Sequence, residues 1–127
     1  EDSKIRAIID WELSTLGHAF SDLAYFCMCL RMPPTEYIAG LGGLNRRMLG
    51  IPEESQMIER YCALRGIDGI DHWPFYLAFS FFRLSAICQG VLKRALDGNA
   101  SSPTATRVGN MARPLAEMGV EVLSEKG

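Results

Sequence analysis

Residues 5–25 read IRAIIDWELSTLGHAFSDLAY: Ile5-Arg6-Ala7-Ile8-Ile9, then Asp10-Trp11-Glu12, then a stretch around Gly17 that runs into Asp22-Leu23-Ala24-Tyr25. Lys4 to Ile9 is rich in β-branched residues and predicts one short strand. That strand would end in an acid, a tryptophan and a second acid. Trp11 to Phe20 reads as a loop. Ser21 is a suitable N-cap for a helix from Asp22 to about Leu30, which Pro33-Pro34 then stops. A single strand cannot satisfy its own backbone hydrogen bonds, and no later segment has strand character. Its partner is therefore expected upstream of Glu1 or on another chain, and the sequence reads as one partial domain, 1–127, of something longer.

Working outward, Thr35 to Gly50 holds four glycines and reads as loop or broken helix. Pro52 fits the first turn of a second helix, with Glu53 and Glu54 at its positive end. Met57, Ile58, Tyr61 and Cys62 recur at helical spacing, and Gly66 supplies the stop. His72-Trp73-Pro74 opens a third helix whose apolar positions spread around most of its circumference, as expected of a helix central to its domain. Ser102-Pro103 starts a last helix that Pro114 should kink or divide. The fold class is mainly α: one N-terminal strand followed by about four helices.

Composition narrows the function. Of the 127 residues 48% are hydrophobic and 22% charged, with 13 basic against 15 acidic residues. That is a globular composition, and the near-balance of scattered charge argues against a nucleic-acid partner. No uninterrupted apolar run reaches the length of a membrane span, which argues against a membrane partner. Cys27, Cys29, Cys62 and Cys88 form no CxxC pair and read as buried, reduced thiols, pointing to a cytoplasmic location.

A carboxylate fixed at a strand end suits magnesium, which takes oxygen ligands and bridges nucleotide phosphates in phosphoryl transfer; turn chemistry that merely ends the strand explains Asp10 equally simply. The segment Ile8-Ile9-Asp10-Trp11-Glu12, with Gly17 and Asp22-Leu23-Ala24, resembles that of aminoglycoside-phosphotransferase-like kinases, relatives of choline kinase and the protein kinases. The later stretch HWPFYLAFSFFRLSAICQGVLKRALDGNASS is similar to the branch of that family associated with acyl-CoA dehydrogenases. The resemblance implies the helical, latter part of a kinase-like C-terminal lobe. It implies Asp10 as a magnesium ligand, Asp22 as an acceptor supporting the catalytic loop, and Mg2+ and ATP as cofactors of the intact protein, with a small-molecule hydroxyl, such as that of a hydroxy acid or hydroxyacyl thioester, as phosphate acceptor.

Glu12 is either a second polar contact at the metal or solvated, and Trp11 is read as packing. No His-Gly-Asp motif, downstream Asn or glycine-rich nucleotide loop is present, so the chain alone is expected to be inactive and to hold no catalytic residue. A non-catalytic helical interaction module, or a pseudokinase remnant, is the alternative reading. His18 is a loop residue near Asp10. Arg83 must pair with an acid such as Asp22 or Asp10, or point into a cleft. The open strand edge over 4–9 predicts self-association or strand exchange.

Overall fold

The computed structural model describes residues 4–10, 12, 14–35 and 38–125. The described residues form, in order, the helices α1 (Ala19–Arg31), α2 (Glu54–Arg65), α3 (Trp73–Leu96), α4 (Ala105–Gly109) and α5 (Ala112–Ser124), with a 3-10 turn at Arg46–Leu49. The mainly helical class is as expected. The strand is not: among the described residues 4–10 run without regular structure, and Ile5, Ile8 and Ile9 are exposed. The reason is the one the sequence raised. A β-branched run with no neighbour to complete its backbone hydrogen bonds gains nothing from being a strand.

Helix α1 begins three residues earlier than expected. His18, in extended backbone, occupies the N-cap position, its carbonyl accepts from the Ser21 N–H (2.9 Å), and Ser21 lies inside the first turn. Helix α2 starts after Pro52, where the Gln56 side chain accepts from the Glu53 N–H (2.9 Å), and stops at Gly66, whose φ of 65° only a glycine adopts without strain. The C-terminal division also follows the sequence. The helical run breaks at Asn110–Met111, and Pro114 falls in the first turn of α5, where its missing N–H costs no helical bond.

Helix α3 packs against α1, α4 and α5. Leu77, Phe81 and Cys88 are buried on one side of it, against Met28, Cys27 and Leu115. The buried Ser80 hydroxyl is satisfied by the Tyr76 carbonyl at 2.8 Å, one turn back. Here too the structure departs from expectation. Phe75, Phe79 and Phe82 sit about half a turn from Leu77 and Phe81 and are 59%, 40% and 64% exposed. A helix read as buried nearly all round is buried on one face only. An 18-residue window within α3 is also long and apolar enough, by length and composition, to cross a membrane, although only 22% of it is buried; interrupted apolar sequence hides that from a search for continuous runs.

Close backbone approach sets two of the packing contacts. A Cβ on Gly109 of α4 would stand 2.5 Å from the Leu92 Cβ and 2.8 Å from its Cα, and a Cβ on Gly40 would stand 2.0 Å from the Met32 carbonyl oxygen. Because the Gly109 obstacle includes main chain, it cannot swing aside. Gly109→Ala is expected to cost about 1–3 kcal/mol by overpacking, read as a lower urea midpoint with an unchanged m value.

Candidate functional site

The loop that leads into α1 and the exposed side of α3 enclose a cavity of about 400 Å3. Ser14, Thr15, His18, Ser21, Asp22 and Arg83 line it, over the ring of Phe79. Helix α1 presents Ser21 and Asp22 from its first turn, and α3 presents Phe79 and Arg83 one turn apart, on the same side. His18 is held by aromatic contacts, its ring 4.8 Å from Phe20 and 5.3 Å from Tyr76, with Phe20 edge-on to Tyr76 at 5.7 Å. This imidazole is part of a ring cluster that seats the start of α1 on α3.

Of the residues singled out in the sequence, the structure brings His18, Asp22 and Arg83 together. Arg83 forms no ion pair with Asp22 or Asp10 among the described residues; its guanidinium lies over the Tyr25 ring, 5.1 Å from the centroid. Burial pushes the Tyr25 hydroxyl above its ordinary pKa, and the Arg83 charge pulls the other way. Asp10 and Glu12 are exposed and lie outside the cavity wall, Asp10 at φ 64°. No group of three or more His, Cys, Asp or Glu side chains stands together among the described residues. Trp11 lies outside the described residues. His72 occupies the N-cap of α3, with no hydrogen bond from its side chain to the helix.

A second polar centre had no signature in the sequence. Arg31, in the last turn of α1, bonds both Glu54 carboxylate oxygens through Nε (2.7 Å) and Nη2 (2.9 Å), and turns Nη1 to Glu125 at 2.8 Å. Trp73 Nε1 donates to the same Glu54 at 3.0 Å. Arg46 closes the group, donating to the Leu30 carbonyl (2.7 Å) and to Glu53. The partners are 7 to 94 positions apart, from Arg46 with Glu53 to Arg31 with Glu125, and no local pattern announces them. The clamp ties the ends of α1, α2, α3 and α5 together and is structural. The four cysteines are unpaired, three of them buried; burial pushes the Cys27 thiol up to about 11 and raises Cys29 and Cys88, so none of these three is an activated nucleophile.

Known proteins resemble this chain along its whole length. Acyl-CoA dehydrogenase family member 10 of Mus musculus is 42% identical over 128 residues, covering 100% of this chain and 12% of that protein. Acyl-CoA dehydrogenase family member 11 of Homo sapiens is 40% identical over 123 residues, covering 96% of this chain and 16% of the relative. A probable acyl-CoA dehydrogenase, IBR3, of Arabidopsis thaliana is 35% identical over 133 residues, again with 98% and 16% coverage. The chain spans between 12% and 16% of the length of these relatives. No family model matches the chain, and no solved structure matches it.

These names correct the kinase resemblance. Relatives whose match runs the length of this chain are named as dehydrogenases and not as phosphotransferases. The assignments of Mg2+ and ATP as cofactors and of a small-molecule hydroxyl as phosphate acceptor lose the resemblance they were drawn from. The alternative of a free-standing interaction module or pseudokinase remnant gains no support from these names either. What does stand is the association with acyl-CoA dehydrogenases noted for residues 72–102.

Proposed function

We propose that this chain works as a helical segment of a longer polypeptide of the acyl-CoA dehydrogenase kind, which removes hydrogen from an acyl thioester. The observation that carries the reading is the similarity along this chain's whole length, at 35–42% identity, to part of animal and plant proteins bearing that name. Dehydrogenation of an acyl thioester needs a redox acceptor such as FAD. The described residues do not fit one. They contain no strand, glycine-rich turn and helix unit of the dinucleotide-binding type, and the cavity beside Arg83 is walled by exposed side chains. The acceptor site and the reacting groups are therefore assigned to other parts of the polypeptide, and this segment supplies a packed α1–α3–α5 body with one apolar face outward. Its unpaired thiols suit a reducing compartment such as the cytoplasm.

The test is acyl-CoA-dependent reduction of an electron-accepting dye. The full-length polypeptide that contains this chain is expected to reduce the dye with at least one acyl chain length, and the isolated 127-residue chain to reduce none. A pure, folded full-length protein that is inert to acyl-CoA thioesters of every chain length would overturn the proposal.

A further inference from the structure

We propose that α2 is a lid over one face of α1, latched by the Arg31–Glu54 pair, and that it lifts while α1, α3, α4 and α5 stay packed, uncovering the thiols of Cys27 and Cys62. Such a lid is independent of the dehydrogenase reading, because it depends only on how α2 is seated.

Two contacts far apart on α2 fix where it lies. At its first turn Glu54 takes two parallel bonds from Arg31, at 2.7 and 2.9 Å. Near its end Tyr61 meets Phe20 edge-on, with ring centroids 6.2 Å apart. Phe20, Ala24, Cys27 and Arg31 follow one another at spacings of four, three and four residues, which is one stripe of a helix. Helix α2 therefore runs antiparallel to α1 along that stripe, with Ala24 and Cys27 between its two fixed points, and both are fully buried. The Glu54 charge adds to burial in raising the Cys27 thiol, as expected of a sulfur beneath the first turn of α2. Helix α3 meets α1 on an adjoining side, where Arg83 lies over the Tyr25 ring.

Apart from the latch, little holds the lid down. The buried cluster that unites α1, α3 and α5 takes in Cys27, Met28, Phe81, Cys88 and Leu115. Cys62, the buried residue of α2, is not a member, and Met57 reaches that cluster only as a partly buried side chain. The polar contacts gather at one end: Trp73 Nε1 also donates to Glu54 at 3.0 Å, and Arg46 holds Glu53 just ahead of the helix. Both flanks are built to turn. Gly50 and Gly66 have φ of 68° and 65°, and each stands in open space with no neighbour that would resist rotation.

Alkylation of the chain by iodoacetamide in increasing urea, read cysteine by cysteine by peptide mass spectrometry, separates lifting from global unfolding. Below the unfolding transition Cys27 and Cys62 are expected to react with matched protection, about tenfold or more faster than Cys88. Their rates should depend less steeply on urea than that of Cys88, since lifting α2 exposes less surface than unfolding the chain. Glu54→Gln should speed Cys27 and Cys62 by about tenfold or more with helical circular dichroism retained. Phe81→Ala should speed Cys88 and leave the other two unchanged in the absence of urea. The urea series on the parent chain decides the matter even where a variant fails to fold. Cys27 and Cys62 reacting at the rate and urea slope of Cys88, Cys62 reacting while Cys27 keeps pace with Cys88, or rates indifferent to Glu54→Gln would each overturn the proposal.

Discussion

Replacing Phe81 with alanine is expected to lower the unfolding free energy by about 3–5 kcal/mol, the largest loss available to a single side chain here. Phe81 is fully buried on the inner face of α3, and Gly119 of α5 approaches so closely that a Cβ there would stand 3.2 Å from the Phe81 Cβ. The ring is fully buried in the core, and its removal leaves a cavity among close-packed neighbours. Domains of this size hold only about 5–15 kcal/mol in total, so the variant should melt roughly 10–20 °C lower. Leu64→Ala on the exposed side of α2 is the control, with an expected change within about 0.5 kcal/mol. Thermal melts followed by circular dichroism compare the two. Equal shifts would mean that α3 does not turn Phe81 inward.

Arg31→Ala should cost about 3 kcal/mol, because it abandons a largely buried carboxylate and not because the ion pair is strongly stabilising in itself. The Glu54 side chain is 16% exposed and would keep only the Trp73 indole as a donor. Arg31→Lys should recover part of the loss, since a single ammonium cannot make the two parallel bonds that the guanidinium makes. Acidity gives a second handle on the same clamp. Burial by itself favours the neutral form of Glu54, but the hydrogen bonds from Arg31 and Trp73 outweigh it and hold the carboxyl below its ordinary pKa. A group depressed on folding stabilises the native state fully above its unfolded pKa, and that contribution disappears as pH falls through the folded value. The stability gap between the parent chain and Arg31→Ala should thus be constant near neutrality and shrink on acidification below the ordinary carboxylate range. A gap that stays constant through that range would show that Glu54 is not held by Arg31.

Local chemistry was legible in the sequence wherever one or two neighbouring residues decide the backbone. Gly66 ended α2, Pro52 preceded its start, and Pro114 marked the division between α4 and α5, because φ freedom or a missing N–H acts on the spot. The start of α1 was misplaced because capping preferences favour Ser21, whereas the ring cluster of His18, Phe20 and Tyr76 extends the helix by an extra turn. The strand over 4–9 failed for a related reason, since β-propensity describes a residue that already has a neighbouring strand. At the site, His18, Asp22 and Arg83 were each visible as unusual residues, yet their meeting in one cavity depends on how α1 lies across α3. The Arg31–Glu54–Glu125 clamp was invisible for the same reason, its members being ordinary helix-end charges until the fold brings them together.

The loose seating of α2 has a consequence for how the molecule opens. Helices α1, α4 and α5 all lie against α3 along their length, while α2 has no comparable helix partner and is fastened mainly at its first turn, with Cys62 as its one buried residue. Detachment of α2 therefore requires breaking the charged fastening and the apolar contacts of Met57, Tyr61 and Cys62, fewer than those that hold the other helices. Its amide protons should trade with solvent through excursions that leave the remaining helices intact. The stretch from 50 to 70 is the place where another element could exchange with α2 without unfolding the body.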